Sequence, residues 1–205
     1  MDDLLIRHAT LYDGSGADPM RADLAVRAGR IRAIAPSLPV DARQVIDADG
    51  LALMPGIIDS HTHYDAQLTW DPYARPSPAM GVTTAAIGNC GFTIAPCRPH
   101  DRELTMRNLT QVEGMSFEVL QRGVRWEFET FAEYLAQLRR TGCAINLAAY
   151  VGHSSLRTWV MGADANQRAA TAAEVSQMAT LVREAMAAGA VGLASSTSPA
   201  HNGAG

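Results

Sequence analysis

The sequence predicts an α/β fold: the first half, about four strands, of a (β/α) barrel over residues 56–205, preceded by a small β-sandwich-like domain over residues 1–55. Two observations predict this fold. Short strand-like runs divided by turns fill the first fifty residues, after which apolar runs alternate with longer helical stretches. Each of the later apolar runs also ends in polar residues, as the strands of a (β/α) barrel do at its functional face.

The strands of the first domain are recognised by their length and by the turn residues between them. Glycine, aspartate and serine separate short runs that contain β-branched and other apolar residues. These runs cover residues 4–11, 23–27, 30–35 and 44–54, and the last is broken around Gly50.

The barrel strands are recognised by continuous apolar runs, which are typical of parallel strands buried on both faces. They cover residues 57–60, 82–87, 144–151 and 190–194. Between them, Thr130 and Thr171 each precede a glutamate by three residues, which is the capping-box spacing of a helix start, and Gly189 lies where a helix should end. This order of strand, helix and strand predicts right-handed β-α-β units with parallel strands. An open doubly wound sheet is the alternative, but no Gly-x-Gly-x-x-Gly follows the first strand.

Composition excludes several classes of function. A net charge of −4 and 47% hydrophobic residues are typical of a globular protein and do not favour a nucleic-acid partner. All 17 basic residues are arginine, so no Schiff-base, phosphate-loop or carbamylated lysine can come from this chain. The first residues lack a leader, and no apolar run approaches the ~18 residues that span a bilayer. We therefore expect a cytoplasmic protein with no membrane partner.

The strongest chemical signal lies in residues 55–65, which read Pro-Gly-Ile-Ile-Asp-Ser-His-Thr-His-Tyr-Asp. In a strand the side-chain period is two, so His61 and His63 should point to the same face and converge on one metal ion. Imidazole suits zinc and similar ions. The motif predicts a metal site at the carboxyl end of the first barrel strand.

The same run resembles the first-strand signature of the amidohydrolase superfamily, whose members are metal-dependent (β/α)-barrel hydrolases. Residues 81–84, Gly-Val-Thr-Thr, and residues 87–91, Ile-Gly-Asn-Cys-Gly, are similar to the second strand of the D-aminoacylases. In that family a cysteine replaces the carbamylated lysine as zinc ligand. The resemblance therefore implies that Cys90 is a ligand beside His61 and His63, and that one or two Zn²⁺ ions are bound.

Residues further along the chain extend the likeness over nearly its whole length. Asp59 is expected to orient a ligand histidine, and His153, at a strand end, is either a pocket residue or a hydrogen-bonded structural one. Packing, pocket-wall or loop positions, without a metal or catalytic role, are expected for Cys97, Glu113, Trp126, Cys143, Arg157 and His201.

The resemblance implies hydrolysis of an N-acyl-D-amino acid, a small-molecule substrate, to a D-amino acid and a carboxylate. It also implies that the general acid/base aspartate and two more histidines lie beyond Gly205, so that this chain holds no catalytic residue. We expect an incomplete fragment, inactive alone, that associates with a complementing C-terminal half or with itself. The alternatives are an amidohydrolase of cyclic amides or isopeptides, of the dihydroorotase, hydantoinase or isoaspartyl dipeptidase type, and a non-catalytic remnant.

Overall fold

The computed structural model describes residues 1–198 and 201, which divide into two compact units, Met1–Gly56 and Ile57–Gly205. The first unit is one mixed sheet, where the sequence predicts a sandwich-like arrangement. The difference arises because β4 and β5 both pair parallel with successive parts of β1, while β2 pairs antiparallel with β1 and with β3. The strands are β1 (Asp2–Leu11), β2 (Met20–Arg27), β3 (Arg30–Ala35), β4 (Ala42–Asp47) and β5 (Ala52–Leu53).

The second unit is a four-stranded parallel sheet with helices between its strands. Its elements are β6 (Ile57–Asp59), β7 (Val82–Ile87), α1 (Arg102–Glu113), α2 (Phe117–Gly123), α3 (Phe131–Thr141), β8 (Asn146–Gly152), α4 (His153–Met161), α5 (Ala172–Ala188) and β9 (Gly192–Ala194). The strand order is β6-β7-β8-β9, all parallel. In a doubly wound sheet the spatial order of the strands reverses at a switch point, whereas in a (β/α) barrel neighbouring strands are also successive in the sequence. The predicted half-barrel is therefore confirmed.

The two helix starts predicted from capping boxes are confirmed. The hydroxyl of Thr130 accepts from the backbone of Glu133 before α3, and Thr171 does the same with Glu174 before α5. Gly189 ends α5 in a left-handed conformation. Helices α1, α2 and α4 were not predicted. Neither α1 nor α4 has a side-chain hydrogen bond at its N-cap, so their starts leave little sign in the sequence.

Burial differs between the inner and outer strands of the parallel sheet. The core is built on apolar side chains of β7, β8 and the helices, such as Ile87, Tyr134 and Val151. On the outer strands, Ile58 of β6 is 70% exposed and Leu193 of β9 is 50% exposed. The expectation that all four strands are buried is therefore wrong for β6 and β9, because each pairs on one side only. Within residues 1–198 and 201, no helix combines the length and apolarity that crossing a membrane requires.

Candidate metal centre

His61 and His63 lie just beyond the strand in which the sequence placed them, because β6 ends at Asp59. Thr62, between the histidines, holds this segment against the end of β7. Its backbone N–H and its hydroxyl both donate to the carbonyl of Ala86, at 3.1 and 2.7 Å. The buried threonine thus faces β7, and the two imidazoles come within 5.2 Å of each other between ring centroids. The predicted convergence of the histidines is reached by an anchored loop instead of a regular strand.

Cys90 follows β7 and reaches the same point from the neighbouring strand end. It lies in a single turn, Asn89–Gly91, with a left-handed φ of 57°. Its Sγ is 3.4 Å from Nε2 of His61 and 3.9 Å from Nε2 of His63. Among the described residues, these three side chains form a group whose ligand atoms all lie within 4.8 Å of one another. Sulfur and nitrogen bound to one tetrahedral zinc are about 3.5 Å apart, so the three atoms can share one ion.

The turn that carries Cys90 is fixed by Gly88 and Asp65. Gly88 has φ +82°, and a β-carbon there would lie 2.3 Å from the carbonyl oxygen of Tyr150 in β8. Its N–H donates at 3.0 Å to Oδ2 of Asp65, which is fully buried. Burial raises the pKa of Asp65 to about 7, although the hydrogen bond from Gly88 acts in the opposite direction and lowers it. The hydroxyl of Tyr134 in turn donates to the backbone oxygen of Asp65 at 2.9 Å. Asp65 thus ties the histidine segment to the cysteine turn.

Glu113, the last residue of α1, contacts the site although the sequence assigned it to packing or a pocket wall. Its Oε2 lies 3.0 Å from Nε2 of His63, and its side chain is only 11% exposed. Burial raises the pKa of Glu113 and lowers the pKa of His63. The contact could not be found from the sequence, because no spacing rule relates two side chains that are fifty positions apart.

The residues present fit a zinc ion. Burial, followed by the charge of Glu113, raises the pKa of the Cys90 thiol. A bound zinc would reverse this, since it deprotonates a coordinating thiol. Two buried atoms, Nδ1 of His63 and Oε1 of Glu113, find no hydrogen-bond partner among residues 1–198 and 201. A cation would offset the cost of such a buried, polar and partly unpartnered environment. His61, His63 and Cys90 would hold it.

Asp59 and His153, the two other predicted site residues, are not members of this group of ligand atoms. Asp59 accepts the backbone N–H of His61 at 3.2 Å, so it positions the main chain of a ligand and not its ring. His153 opens α4 instead of ending a strand, and its Nδ1 lies 3.4 Å from Oγ of Ser195. Burial and the charge of Arg157 lower the pKa of His153.

The remaining candidates have structural contacts. Arg157 donates to the carbonyls of Ala165 and Arg168, and the Trp126 ring lies under the guanidinium of Arg102. Cys97 is buried, with Sγ 3.3 Å from the Thr105 hydroxyl, and Cys143 packs at the edge of the core. His201, expected in a loop, lies with Nδ1 2.7 Å from Oγ of Ser196.

Comparison with known proteins gives three sets of findings. The model of the amidohydrolase family matches residues 44–203. D-aminoacylase and N-acyl-D-aspartate deacylase of Alcaligenes xylosoxydans xylosoxydans are each 42% identical, over 93% and 95% of this chain. A solved D-aminoacylase structure superposes with a TM-score of 0.81 at 35% identity over 100% of this chain and 41% of its own.

An N-acyl-D-glutamate deacylase of Bordetella bronchiseptica, solved with zinc and a phosphonate inhibitor, superposes with a TM-score of 0.77 at 35% identity, over 95% of this chain and 38% of its own. The present chain spans 37% of the D-aminoacylase and 36% of the N-acyl-D-aspartate deacylase.

Proposed function

Because this chain belongs to the amidohydrolase family, we propose that it provides the metal-binding part of an N-acyl-D-amino-acid deacylase. The proposed reaction converts an N-acyl-D-amino acid and water into a D-amino acid and a carboxylate. The observation that carries the proposal is the convergence of His61, His63 and Cys90 at the carboxyl ends of β6 and β7. This is the face at which (β/α)-barrel enzymes place their active sites.

Zinc is the proposed metal, in one or two ions. When bound, it supplies Lewis acidity that polarises an amide carbonyl and makes a water molecule more acidic. The chain's own residues hold it: the imidazoles of His61 and His63 as neutral donors, and Cys90 as thiolate. Asp65 and Gly88 keep the cysteine turn in place. Zinc in the related N-acyl-D-glutamate deacylase structure and the thiol-containing donor set support this choice.

The thiol also bears on the class of substrate. Amidohydrolases that use a carbamylated lysine need a lysine in this part of the barrel, and this sequence has none. The relatives that share 42% identity are deacylases of N-acyl-D-amino acids. We therefore favour a linear N-acyl-D-amino acid over a cyclic amide. The aspartate that transfers a proton to the leaving nitrogen is proposed to come from residues outside this sequence.

Cobalt substitution tests the metal site directly, because a thiolate bound to cobalt gives a charge-transfer band in the near ultraviolet. We expect this band in the cobalt-loaded chain, and we expect Cys90→Ala to abolish it. The matched controls Cys97→Ala and Cys143→Ala should leave it intact, since these thiols lie outside the group of ligand atoms. A band that requires Cys97 or Cys143 would overturn the assignment.

Substrate class is tested by joining this chain to the C-terminal part of a D-aminoacylase. The hybrid should hydrolyse N-acetyl-D-amino acids faster than their L-enantiomers and should lose this activity on Cys90→Ala. Turnover of dihydroorotate or a hydantoin in place of the D-substrates would refute the deacylase proposal while leaving the metal site in place.

A further inference from the structure

A histidine and a serine meet at the edge of the parallel sheet that carries the candidate metal centre. His153 directly follows β8 and Ser195 directly follows β9, and the last residues of these two strands, Gly152 and Ala194, are paired. Nδ1 of His153 lies 3.4 Å from Oγ of Ser195, and both residues are accessible to solvent. The pair therefore lies at the carboxyl ends of the strands, the face at which (β/α)-barrel enzymes bind their substrates.

The turn that carries Cys90 packs directly against these two strand ends. A β-carbon on Gly91, the residue after Cys90, would lie 3.1 Å from Cα of Ser195. A β-carbon on Gly152, the residue before His153, would lie 2.5 Å from the carbonyl oxygen of Gly91. These approaches leave no room for a side chain between the turn and the strand ends. His153 and Ser195 therefore flank the turn that presents the proposed metal ligand Cys90.

The charges around His153 favour an anionic ligand. Partial burial, followed by the charge of Arg157 one helical turn further along α4, lowers the pKa of His153, so its imidazole is neutral at neutral pH. The guanidinium of Arg157 donates to the carbonyls of Ala165 and Arg168 and, among residues 1–198 and 201, pairs with no carboxylate. A positive charge of this kind opposes protonation of the imidazole and attracts a negatively charged ligand.

The contact with Ser195 allows the neutral imidazole of His153 to act as a donor. A neutral imidazole has one N–H donor and one acceptor nitrogen. When the Ser195 hydroxyl donates to Nδ1, the ring proton is on Nε2, which can donate to a ligand. In an N-acyl-D-amino acid the backbone carboxylate is anionic and accepts such a hydrogen bond. The amide carbonyl is instead the group that a bound zinc would polarise.

We propose that His153, oriented by Ser195, binds the carboxylate of the N-acyl-D-amino acid while the amide of the substrate lies at the metal centre. This inference rests on the proposed function and gives it a substrate-positioning residue. His153 transfers no proton in this role. It holds the carboxylate beside the Cys90 turn, which orients the neighbouring amide toward the metal and favours acids over their neutral analogues.

NMR titration of the zinc-loaded chain tests the contact without requiring turnover. N-acetyl-D-leucine and its carboxamide differ only in the carboxylate, which the carboxamide lacks. We expect N-acetyl-D-leucine to shift the ring resonances of His153 in a saturable way. The carboxamide should bind about 10- to 100-fold more weakly, the range that corresponds to one hydrogen bond to a charged group. This measurement uses the unmodified chain, so it does not depend on whether a variant folds.

Variants of His153 separate its contribution from that of zinc, which can itself bind a carboxylate. His153→Leu removes the N–H donor, whereas His153→Gln keeps one. The preference for the acid over the carboxamide, followed on the amide resonance of Gly91, should fall by about 10- to 100-fold in His153→Leu and should be largely retained in His153→Gln. His100→Leu is the matched control, because the His100 side chain is 70% exposed and its nearest charged partner is Asp101. It should leave the preference unchanged.

A purely structural role of His153 would weaken both ligands equally. An unchanged preference in a folded His153→Leu chain would therefore overturn the inference, as would the absence of a ring shift at His153 in the unmodified chain. In the hybrid enzyme described above, His153→Leu should lower the ratio of kcat/KM for the acid to that for the carboxamide, mainly through a higher KM for the acid. A hybrid that hydrolyses no N-acyl-D-amino acid, although carboxylate binding depends on His153, would count against the deacylase function and leave this binding site in place.

Discussion

Replacing Gly88 by alanine tests whether the turn that carries Cys90 depends on close approach of the neighbouring strand. The new β-carbon would lie 2.3 Å from the carbonyl oxygen of Tyr150 and 3.0 Å from Cγ2 of Thr93. The carbonyl belongs to β8 and cannot move without disturbing the sheet. Left-handed backbone costs an L-residue about 1–2 kcal/mol, and overpacking adds about 1–3 kcal/mol. We expect Gly88→Ala to lower the free energy of unfolding by about 2–5 kcal/mol.

Gly81 offers a matched control at the other end of β7. Its φ of +84° is nearly that of Gly88, but an added β-carbon would meet only Cδ1 of Ile57, at an ordinary 3.8 Å. Gly81→Ala should therefore cost only the backbone strain, about 1–2 kcal/mol. Urea unfolding followed by circular dichroism measures both variants, and cobalt titration should show weakened binding for Gly88→Ala alone. Equal destabilisation of the two variants would refute the steric argument.

Two further predictions concern Thr171 and Asp65. Thr171→Ala removes the capping box of α5 and should lower the free energy of unfolding, measured in urea, by about 1 kcal/mol. Thr180 is an exposed position on the same helix, and Thr180→Ala should change the free energy of unfolding by less than about 0.5 kcal/mol. Equal effects of the two substitutions would contradict the role of the cap. Burial raises the pKa of Asp65 from 3.8 to about 7, so as the pH rises the unfolded state loses this proton before the folded state does. The free energy of unfolding, measured with a chelator present to keep the protein free of metal, should therefore fall by up to about 4 kcal/mol as the pH rises from about 4 to about 7. Asp65→Asn should flatten this dependence, and a profile like that of the unmodified chain would show that another group is responsible.

Local patterns were sufficient to predict most of the framework. Thr130 and Thr171 start helices because the capping interaction spans only three residues, and the sequence shows that spacing directly. The apolar run of β7 is predicted with the bounds that the structure has, since a buried parallel strand needs continuous apolar residues. Helix α1 was not predicted because its N-cap lacks a side-chain hydrogen bond.

The sequence by itself identified the histidine pair, because only one residue separates His61 from His63. The structure brings the two rings together in a loop anchored by Thr62, and not in a regular strand. A family resemblance pointed to Cys90, 27 residues from His63, and the predicted half-barrel explains why two successive strand ends lie side by side. Only the tertiary structure decided the roles of Gly88, Asp65 and Glu113. The requirement at Gly88 comes from a carbonyl of β8, and the contact between Glu113 and His63 comes from where α1 ends. Distances of this kind depend on how separate elements pack, and no spacing within the sequence encodes them.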